Sequence, residues 1–127
     1  MSGIYRLTVR SEFCAAHHLR NYQGKCEAAH GHNFAVEVVV EGTTLDPDTG
    51  MLLDFGDLKR FLKDVLATLD HKDLNQVPPF TEINPSSEHL ARYIFQELGK
   101  QVAEYGVTPF SVTVAEKSIQ SATYMEP

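Results

Sequence analysis

The order of the apolar patterns along the chain is the feature that most restricts its fold. Four segments alternate apolar and polar side chains with the period of two that is typical of half-buried strands. Two segments between them carry apolar residues at helical spacing. The strand-like segments are residues 4–13, 32–41, 109–117 and 119–125, and the helix-like segments are residues 56–69 and about 84–102. This ββααββ order predicts an α+β fold: a four-stranded antiparallel sheet with both helices on one face.

Local signals mark the helices and the segment that joins them. The second helix is expected to begin near Asn84, since asparagine is a good N-cap, Pro85 suits the first helical position and Glu88 favours the first turn. The segment before it, DHKDLNQVPPFTEI, has two adjacent prolines and no period, which predicts a loop. The apolar stripes are Leu58, Phe61, Leu62, Val65, Leu66 and Leu69 in the first helix and Leu90, Ile94, Phe95, Leu98 and Val102 in the second.

A four-stranded sheet that is covered on one side leaves two strand edges and one face unpaired. Such edges usually need to be covered or blocked, because they present unpaired backbone N–H and C=O groups. We therefore expect sheets from several subunits to join edge to edge in a homo-oligomer.

Length and charge limit the class of protein. The 127 residues carry a formal net charge of −6, and a chain of this length is expected to form one domain over residues 1–127. No clustered basic face is visible, which argues against a nucleic-acid partner. The N-terminus lacks a signal-peptide pattern and no apolar run approaches the roughly 18 residues that cross a bilayer, so we expect a cytoplasmic protein without a membrane partner. Cys14 and Cys26 are expected to be free thiols, with Cys14 packed in the core.

The stretch CEAAHGHNF, residues 26–34, carries the sharpest functional signal. If residue 32 opens the second strand, the period of two points His30 and His32 to the same side. Two imidazoles on one side are half of a zinc site, and catalytic zinc commonly takes three protein ligands and a water. The third could come from His17 or His18, which a hairpin would bring alongside. The alternative is a chance pattern in a chain with six histidines.

Cys26 lies four residues before His30 and beside Lys25. A thiol near a dication ionises readily, so Cys26 could act as a base or a nucleophile. It could also be a fourth metal ligand that closes the site, or an inert, partly buried thiol.

Two further positions carry groups that can move protons or bind a ligand. Asp70 and His71 end the first predicted helix, where a carboxylate could orient an imidazole for proton transfer. A histidine at a helix C-terminus is also satisfied by the helix dipole, and adjacent side chains do not naturally face each other. Glu116, in an apolar strand, could accept two hydrogen bonds from a guanidine-like ring edge, or could be a solvent-facing charge.

Several motifs in one order carry a family resemblance. They are FCAAHHL (13–19), CEAAHGHNF (26–34), the DF of MLLDFGDLK (51–59), LDHKDLN (69–75), NPSSEHLA (84–91) and VAEKSIQSATY (114–124). Together they resemble the 6-pyruvoyl-tetrahydropterin synthase family over nearly the whole chain, and most closely its bacterial branch, which makes 6-carboxytetrahydropterin for queuosine. The resemblance implies a T-fold, in which trimers close into a barrel and pair into hexamers.

The resemblance also implies roles for individual residues. The zinc ligands would be His17, His30 and His32, so that His18 drops out. Cys26 would be the catalytic cysteine, and Asp70 with His71 its partner acid–base pair. Glu116 would anchor the pterin ring, and Ser87, in a segment that departs from the family pattern, would help to hold it. The triphosphate would meet Lys25, Arg20 or Lys72.

The implied reaction converts 7,8-dihydroneopterin triphosphate to 6-carboxy-5,6,7,8-tetrahydropterin, with release of acetaldehyde and triphosphate. Zinc would be the only cofactor, because internal redox chemistry reduces the ring. Glu27 follows Cys26 and matches a glutamate with which some family members make 6-hydroxymethyl-7,8-dihydropterin for folate synthesis, so this product is the alternative, alone or as a second activity. A non-catalytic, zinc-stabilised binding protein is the alternative from another class.

Overall fold

A long β-hairpin forms the centre of the sheet. The structure is a computed structural model that describes residues 3–23 and 28–127. Strands β1 (Tyr5–His17) and β2 (His30–Gly42) pair antiparallel over their whole length, from Tyr5 opposite Gly42 to His17 opposite His30. The other elements are helices α1 (Phe55–Ala67) and α2 (Ser87–Val102), strands β3 (Lys72–Asp73), β4 (Thr108–Lys117) and β5 (Gln120–Tyr124), and 3-10 turns at Leu74–Gln76 and Ala103–Tyr105.

The sheet has five strands in the order β3-β1-β2-β4-β5, one more than the sequence predicts. The additional strand, β3, pairs parallel to β1, with Lys72 beside Ala15 and Asp73 beside Ala16, so the sheet is mixed and not purely antiparallel. Two residues are too few to show a period of two, which is why the segment was expected to be a loop. Leu74 and Phe80 of that segment are fully buried, so it packs although it has no regular pattern.

Both helices cover one face of the sheet, as predicted. The two apolar stripes are buried at every expected position. They pack on alternate strand residues, including Val9 and Phe13 of β1, Phe34 and Val38 of β2, and Val112 of β4. Each such side chain contributes about 1.5–3 kcal/mol when it is fully buried. Across the described residues, neither helix is long and apolar enough to cross a membrane.

The uncovered face of the sheet is polar. Arg6 pairs with Glu41 at 2.9 Å, and Arg10 pairs with Glu37 at 2.6 Å. Cys14 also lies on this face, which corrects the expectation that it packs in the core. Its side chain is exposed, and its Sγ donates a hydrogen bond to Asn33 Oδ1 at 2.6 Å. Strand alternation explains the difference, because the neighbouring residues of β1 point into the core.

Helix α2 starts two residues later than predicted. Ser86, not Asn84, is its N-cap, and the Ser86 Oγ accepts a hydrogen bond from the His89 N–H at 3.2 Å. The Asn84 side chain is used elsewhere: its Oδ1 accepts from the Arg20 N–H and its Nδ2 donates to the Arg20 carbonyl, both at 2.8 Å. Asn84 is a residue type that often caps helices, and it marked the right region of the chain. Its side chain is not available as a cap because it bonds to the backbone of Arg20.

Candidate active site and metal centre

Three histidines meet at one end of the hairpin, on the face that the helices cover. The register places His17 directly opposite His30, and His32 lies two residues further along β2 on the same side. The ring centroids of His17 and His30 are 4.7 Å apart, and those of His30 and His32 are 4.5 Å apart. His18 is not part of this group among the described residues. The structure therefore brings together the three histidines that were expected to hold zinc.

Glu116 of β4 joins these histidines. Its Oε1 lies 3.2 Å from His32 Nε2, and its Oε2 lies 3.4 Å from His17 Nε2. One ligand atom from each of the four side chains lies within 4.8 Å of every other, so the group could hold a metal ion. The family resemblance implies that Glu116 binds the pterin ring. The structure places its carboxylate against the histidine cluster, and the ring-binding role stays a prediction.

The histidine nitrogens fit a metal ion. His17 Nδ1 is 2.9 Å from the Pro85 carbonyl oxygen, and His30 Nδ1 is 3.0 Å from that of Ala28. A carbonyl oxygen can only accept a hydrogen bond, so the Nδ1 atom that contacts it must carry a proton. Each neutral ring therefore has its proton on Nδ1 and presents the Nε2 lone pair. His17 Nε2 and His32 Nε2 are buried without a hydrogen-bond partner among the described atoms, although Glu116 is close. A cation between these atoms would satisfy them.

Burial lowers the pKa of His32, and the positive charges of His30, His17 and Lys117 act in the same direction against the opposing effect of Glu116. Neutral imidazole is the form that binds a metal, so the local environment favours the binding-competent ring.

The Arg20 side chain binds the backbone of the segment that precedes α2 and does not extend toward a ligand. Its guanidinium donates to the carbonyls of Phe80 at 2.7 Å, Ile83 at 3.2 Å and Asn75 at 3.3 Å. With the Asn84 contacts, these bonds tie the residue 75–84 segment to the end of β1. Three of its five N–H donors are used on these backbone carbonyls, which leaves fewer for a triphosphate. The assignment of Lys25, Arg20 or Lys72 to the triphosphate stays a prediction.

Ser87 and Glu116 line a common cavity of about 180 Å³ between the start of α2 and strand β5. Glu88 lines it as well. From the sequence, Glu88 was expected only as a favourable charge in the first helical turn, and its position in this cavity was not predicted. A second carboxylate next to Ser87 in the NPSSEH segment was the available signal.

Asp70 and His71 form a pair of their own. His71 Nδ1 lies 3.0 Å from Asp70 Oδ2, and Asp70 Oδ1 accepts the Cys14 backbone N–H at 2.9 Å. The two neighbours can face each other because His71 has a left-handed φ of 58°, which turns the chain between them. The Cys14 N–H, and then the contacts with His71, hold the pKa of Asp70 below its usual range.

The two members of this pair line different cavities. Asp70 lines one with Lys63 and Leu66 of α1. His71 borders an open cavity of about 580 Å³ that Cys14, Asn33 and His32 of the histidine cluster also line. The Cys14 and Asn33 side chains point away from the helices, whereas the histidine cluster lies on the helix side. Cys26 and Glu27, the other two predicted catalytic residues, and Lys25 lie outside the described residues.

Comparison with known proteins agrees with this fold and identifies a family. A family model described as 6-pyruvoyl tetrahydropterin synthase matches residues 6–127. The chain belongs to the 6-pyruvoyl tetrahydropterin synthase family. The solved structure of the Caenorhabditis elegans 6-pyruvoyl tetrahydropterin synthase superposes with a TM-score of 0.82 at 27% identity, covering 99% of this chain and 98% of that one. This likeness confirms the α+β T-fold of the chain.

Two relatives within the family carry more specific names. The 6-carboxy-5,6,7,8-tetrahydropterin synthase of Synechocystis sp. is 38% identical over 120 residues, which cover 91% of this chain and 88% of the relative. The dihydroneopterin monophosphate aldolase of Pyrococcus furiosus is 35% identical over 97 residues, which cover 76% of this chain and 77% of the relative.

Proposed function

We propose that this family member is a zinc-dependent carbon–carbon lyase that converts 7,8-dihydroneopterin triphosphate to 6-carboxy-5,6,7,8-tetrahydropterin for queuosine biosynthesis, with release of acetaldehyde and triphosphate. The observation that carries the proposal is the group formed by His17, His30 and His32 next to a polar cavity, in which the buried Nε2 atoms of His17 and His32 have no hydrogen-bond partner among the described atoms. The name of the Synechocystis relative supports this product.

The histidines would hold the zinc ion through their Nε2 atoms, and a bound zinc ion supplies Lewis-acid polarisation of the side-chain hydroxyls of the substrate. The chain's own part is to fix this ligand geometry. The Pro85 and Ala28 carbonyls hold the rings of His17 and His30 in the tautomer that presents Nε2.

The ring of the substrate would lie in the cavity at the start of α2. The Glu116 and Glu88 carboxylates and the Ser87 hydroxyl face this cavity. A pterin edge presents adjacent amino and ring N–H donors, and a carboxylate accepts such a pair with two parallel hydrogen bonds. Ring binding is therefore assigned to this group of three residues and not to Glu116 alone.

Proton transfer would use Cys26 as the base and the Asp70–His71 pair as its partner. Asp70 stays ionised through the Cys14 N–H and orients the His71 ring, so that His71 can take up or release a proton at its other nitrogen. Since neither Asp70 nor His71 belongs to the four-residue group among the described residues, we propose that the pair completes the site of a neighbouring subunit. A trimer whose sheets join at the β3 and β5 edges, and a hexamer of two such trimers, would supply that neighbour.

A second candidate product is 6-hydroxymethyl-7,8-dihydropterin. Glu27 directly follows Cys26 and provides a carboxylate base in place of the thiol. The name of the Pyrococcus furiosus relative, an aldolase that acts on a dihydroneopterin phosphate, supports this alternative.

Product analysis tests both candidates. Zinc-loaded wild type, Cys26→Ala and Glu27→Ala are incubated with 7,8-dihydroneopterin triphosphate, and the pterins are separated by chromatography. Cys14→Ser is the matched control, because it removes the other thiol and keeps the backbone N–H that bonds Asp70. We expect 6-carboxytetrahydropterin from wild type and from the control, and its loss in Cys26→Ala. Loss of a hydroxymethyl product only in Glu27→Ala would assign a separate cleavage to Glu27.

Thiol alkylation separates the enzyme from a zinc-stabilised binding protein. If blocking Cys26 in the Cys14→Ser background stops turnover and leaves zinc bound, the enzyme proposal stands. If it expels zinc, the cysteine is a structural ligand and the proposal fails.

A further inference from the structure

We infer that Glu116 is a fourth ligand of the metal ion in the resting protein, and that an incoming oxygen ligand replaces it. The inference rests on the metal site of the proposed function, but not on any particular product. It assigns Glu116 a role in metal binding, in addition to its proposed role in binding the pterin ring.

The distances bring the Glu116 carboxylate close to the separation of two metal ligands. Zinc bonds to imidazole nitrogen and carboxylate oxygen are about 2.0–2.2 Å long, so two such ligands of a regular tetrahedron lie roughly 3.3–3.5 Å apart. Glu116 Oε1 lies 3.2 Å from His32 Nε2, and Glu116 Oε2 lies 3.4 Å from His17 Nε2, so each oxygen is near this separation from one histidine.

A hydrogen bond does not explain the contact with His17. In the neutral ring, which is the form that binds a metal, the His17 proton lies on Nδ1 toward the Pro85 carbonyl, so Nε2 has only a lone pair to present to the carboxylate. A lone pair and an anionic oxygen repel each other unless a cation lies between them. The lack of a hydrogen-bond partner for buried His17 Nε2, although an oxygen is 3.4 Å away, has the same explanation.

Charge favours the same arrangement. Three neutral imidazoles leave the two charges of a zinc ion uncompensated, and the His17 side chain is only 3% exposed. In such a poorly solvated place an uncompensated charge is costly. One carboxylate would reduce the net charge of the site from two to one.

The position of Glu116 also makes it exchangeable. Its side chain is 23% exposed and lines the cavity with Ser87 and Glu88, so a ligand that enters through this cavity meets Glu116 on its way to the histidines. The histidines lack this freedom, since two of them are fixed by backbone carbonyls. Glu116 would therefore leave first, and its carboxylate would remain beside the incoming hydroxyl as a hydrogen-bond acceptor.

Metal affinity provides the first test. Zinc and cobalt dissociation constants of wild type and Glu116→Gln are measured by competition with a chelator. Glu88→Gln, which alters a carboxylate of the same cavity outside the four-residue group, is the control. We expect Glu116→Gln to weaken binding about 10- to 100-fold, the range for an altered ligand environment, and Glu88→Gln to change it less than about 3-fold. Equal affinities in wild type and Glu116→Gln would overturn the inference.

Azide provides the second test, because a small anion binds an open metal position and must compete for a closed one. We expect the visible spectrum of the cobalt-loaded protein to respond to azide at concentrations at least about 10-fold lower in Glu116→Gln than in wild type. The same azide response in both proteins would contradict a closed resting site.

A crystal structure of zinc-loaded wild type decides the point without a variant. A Glu116 oxygen within about 2.2 Å of the ion supports the inference, and a water there with Glu116 turned away overturns it. Histidine variants keep the two proposals separate: if His30→Ala loses zinc while Glu116→Gln retains it fully, the metal site stands and only the role of Glu116 fails.

Discussion

At the scale of one residue, His17 links the candidate metal site to the rest of the fold, because its buried ring contacts the Pro85 carbonyl through Nδ1 and has Nε2 3.4 Å from Glu116 Oε2. The HxH pattern and the period of two were enough to place His30 and His32 on one side, and the hairpin register places His17 opposite His30. The choice of His17 over His18 needed the family resemblance. The contact of Glu116 with the cluster was not predictable, because it depends on how β4 docks on β2, which no local pattern encodes.

Removing the metal should destabilise the protein through the histidines. Ligand binding to the folded state alone adds about 4 kcal/mol when free zinc is 1,000 times its dissociation constant. We expect a chelator to lower the melting temperature of wild type but not of His17→Ala, which should hold no zinc. His18→Ala is the matched control and should behave as wild type in zinc content and in the response to chelator. A zinc-free His18→Ala would contradict this ligand assignment.

The lowered pKa of Asp70 predicts an acid-dependent contribution to stability. The Cys14 N–H and His71 hold the pKa of Asp70 below its ordinary value in the folded protein. The ionised carboxylate therefore stabilises the fold fully at pH values above the pKa of a free aspartate, which is about 4. The contribution is lost as the pH falls through the lowered value. In chelator-treated protein, wild type should therefore melt higher than Asp70→Asn at about pH 6, and the gap should close toward about pH 3. A melting-temperature difference between wild type and Asp70→Asn that stays constant with pH would show that ionisation of Asp70 is not its cause. Asp64→Asn, which changes an exposed carboxylate on α1, is the control.

At the scale of elements, long periodic segments were predicted well and short ones were not. Both helices and the four long strands lie where the apolar patterns put them, because burial of a regular face determines them. The two-residue strand β3 and the true cap of α2 were missed. Both depend on contacts between distant segments: β3 pairs with β1, and Asn84 is held by Arg20.

The Arg20 contacts predict a structural and a functional loss in one variant. A lysine keeps the charge but cannot reach three carbonyls with a planar fork, so Arg20→Lys should lower the free energy of unfolding of the metal-free protein by about 2–4 kcal/mol. It should also weaken zinc binding, because the tied segment leads into Pro85, which orients His17. Arg10→Lys, at an exposed ion pair, should cost less than about 1 kcal/mol in urea unfolding. Similar losses in the two variants would show that the carbonyl contacts contribute little.

At the scale of the whole molecule, the proposed chemistry is divided between two groups of residues. Among the described residues, the metal-binding group of His17, His30, His32 and Glu116 does not include Asp70 or His71, although His32 and His71 line one open cavity. The described part of the chain therefore keeps the Asp70–His71 pair outside this group, which is a structural reason to expect shared sites between subunits. The sequence predicted exposed edges, but it could not show which groups lie on which side of them.

Mixing two inactive variants tests whether sites are shared. His17→Ala and His71→Ala are unfolded together, refolded as mixed oligomers and assayed. If each site takes its histidine cluster from one chain and its Asp70–His71 pair from another, about a quarter of the sites regain both intact groups. If both groups come from one chain, every site keeps one defect and no activity returns. Each variant refolded alone provides the baseline.

The pairing of His17 with His30 has a consequence for folding. A slip of β2 by one residue against β1 would send both of its imidazoles through the sheet to the polar side, and the cluster would be lost. If the proposed zinc ion binds this cluster, only correctly registered chains would retain it, and the metal would select for the correct strand alignment. Cells short of zinc should then accumulate misaligned, aggregation-prone copies of this protein before they lose its chemistry outright.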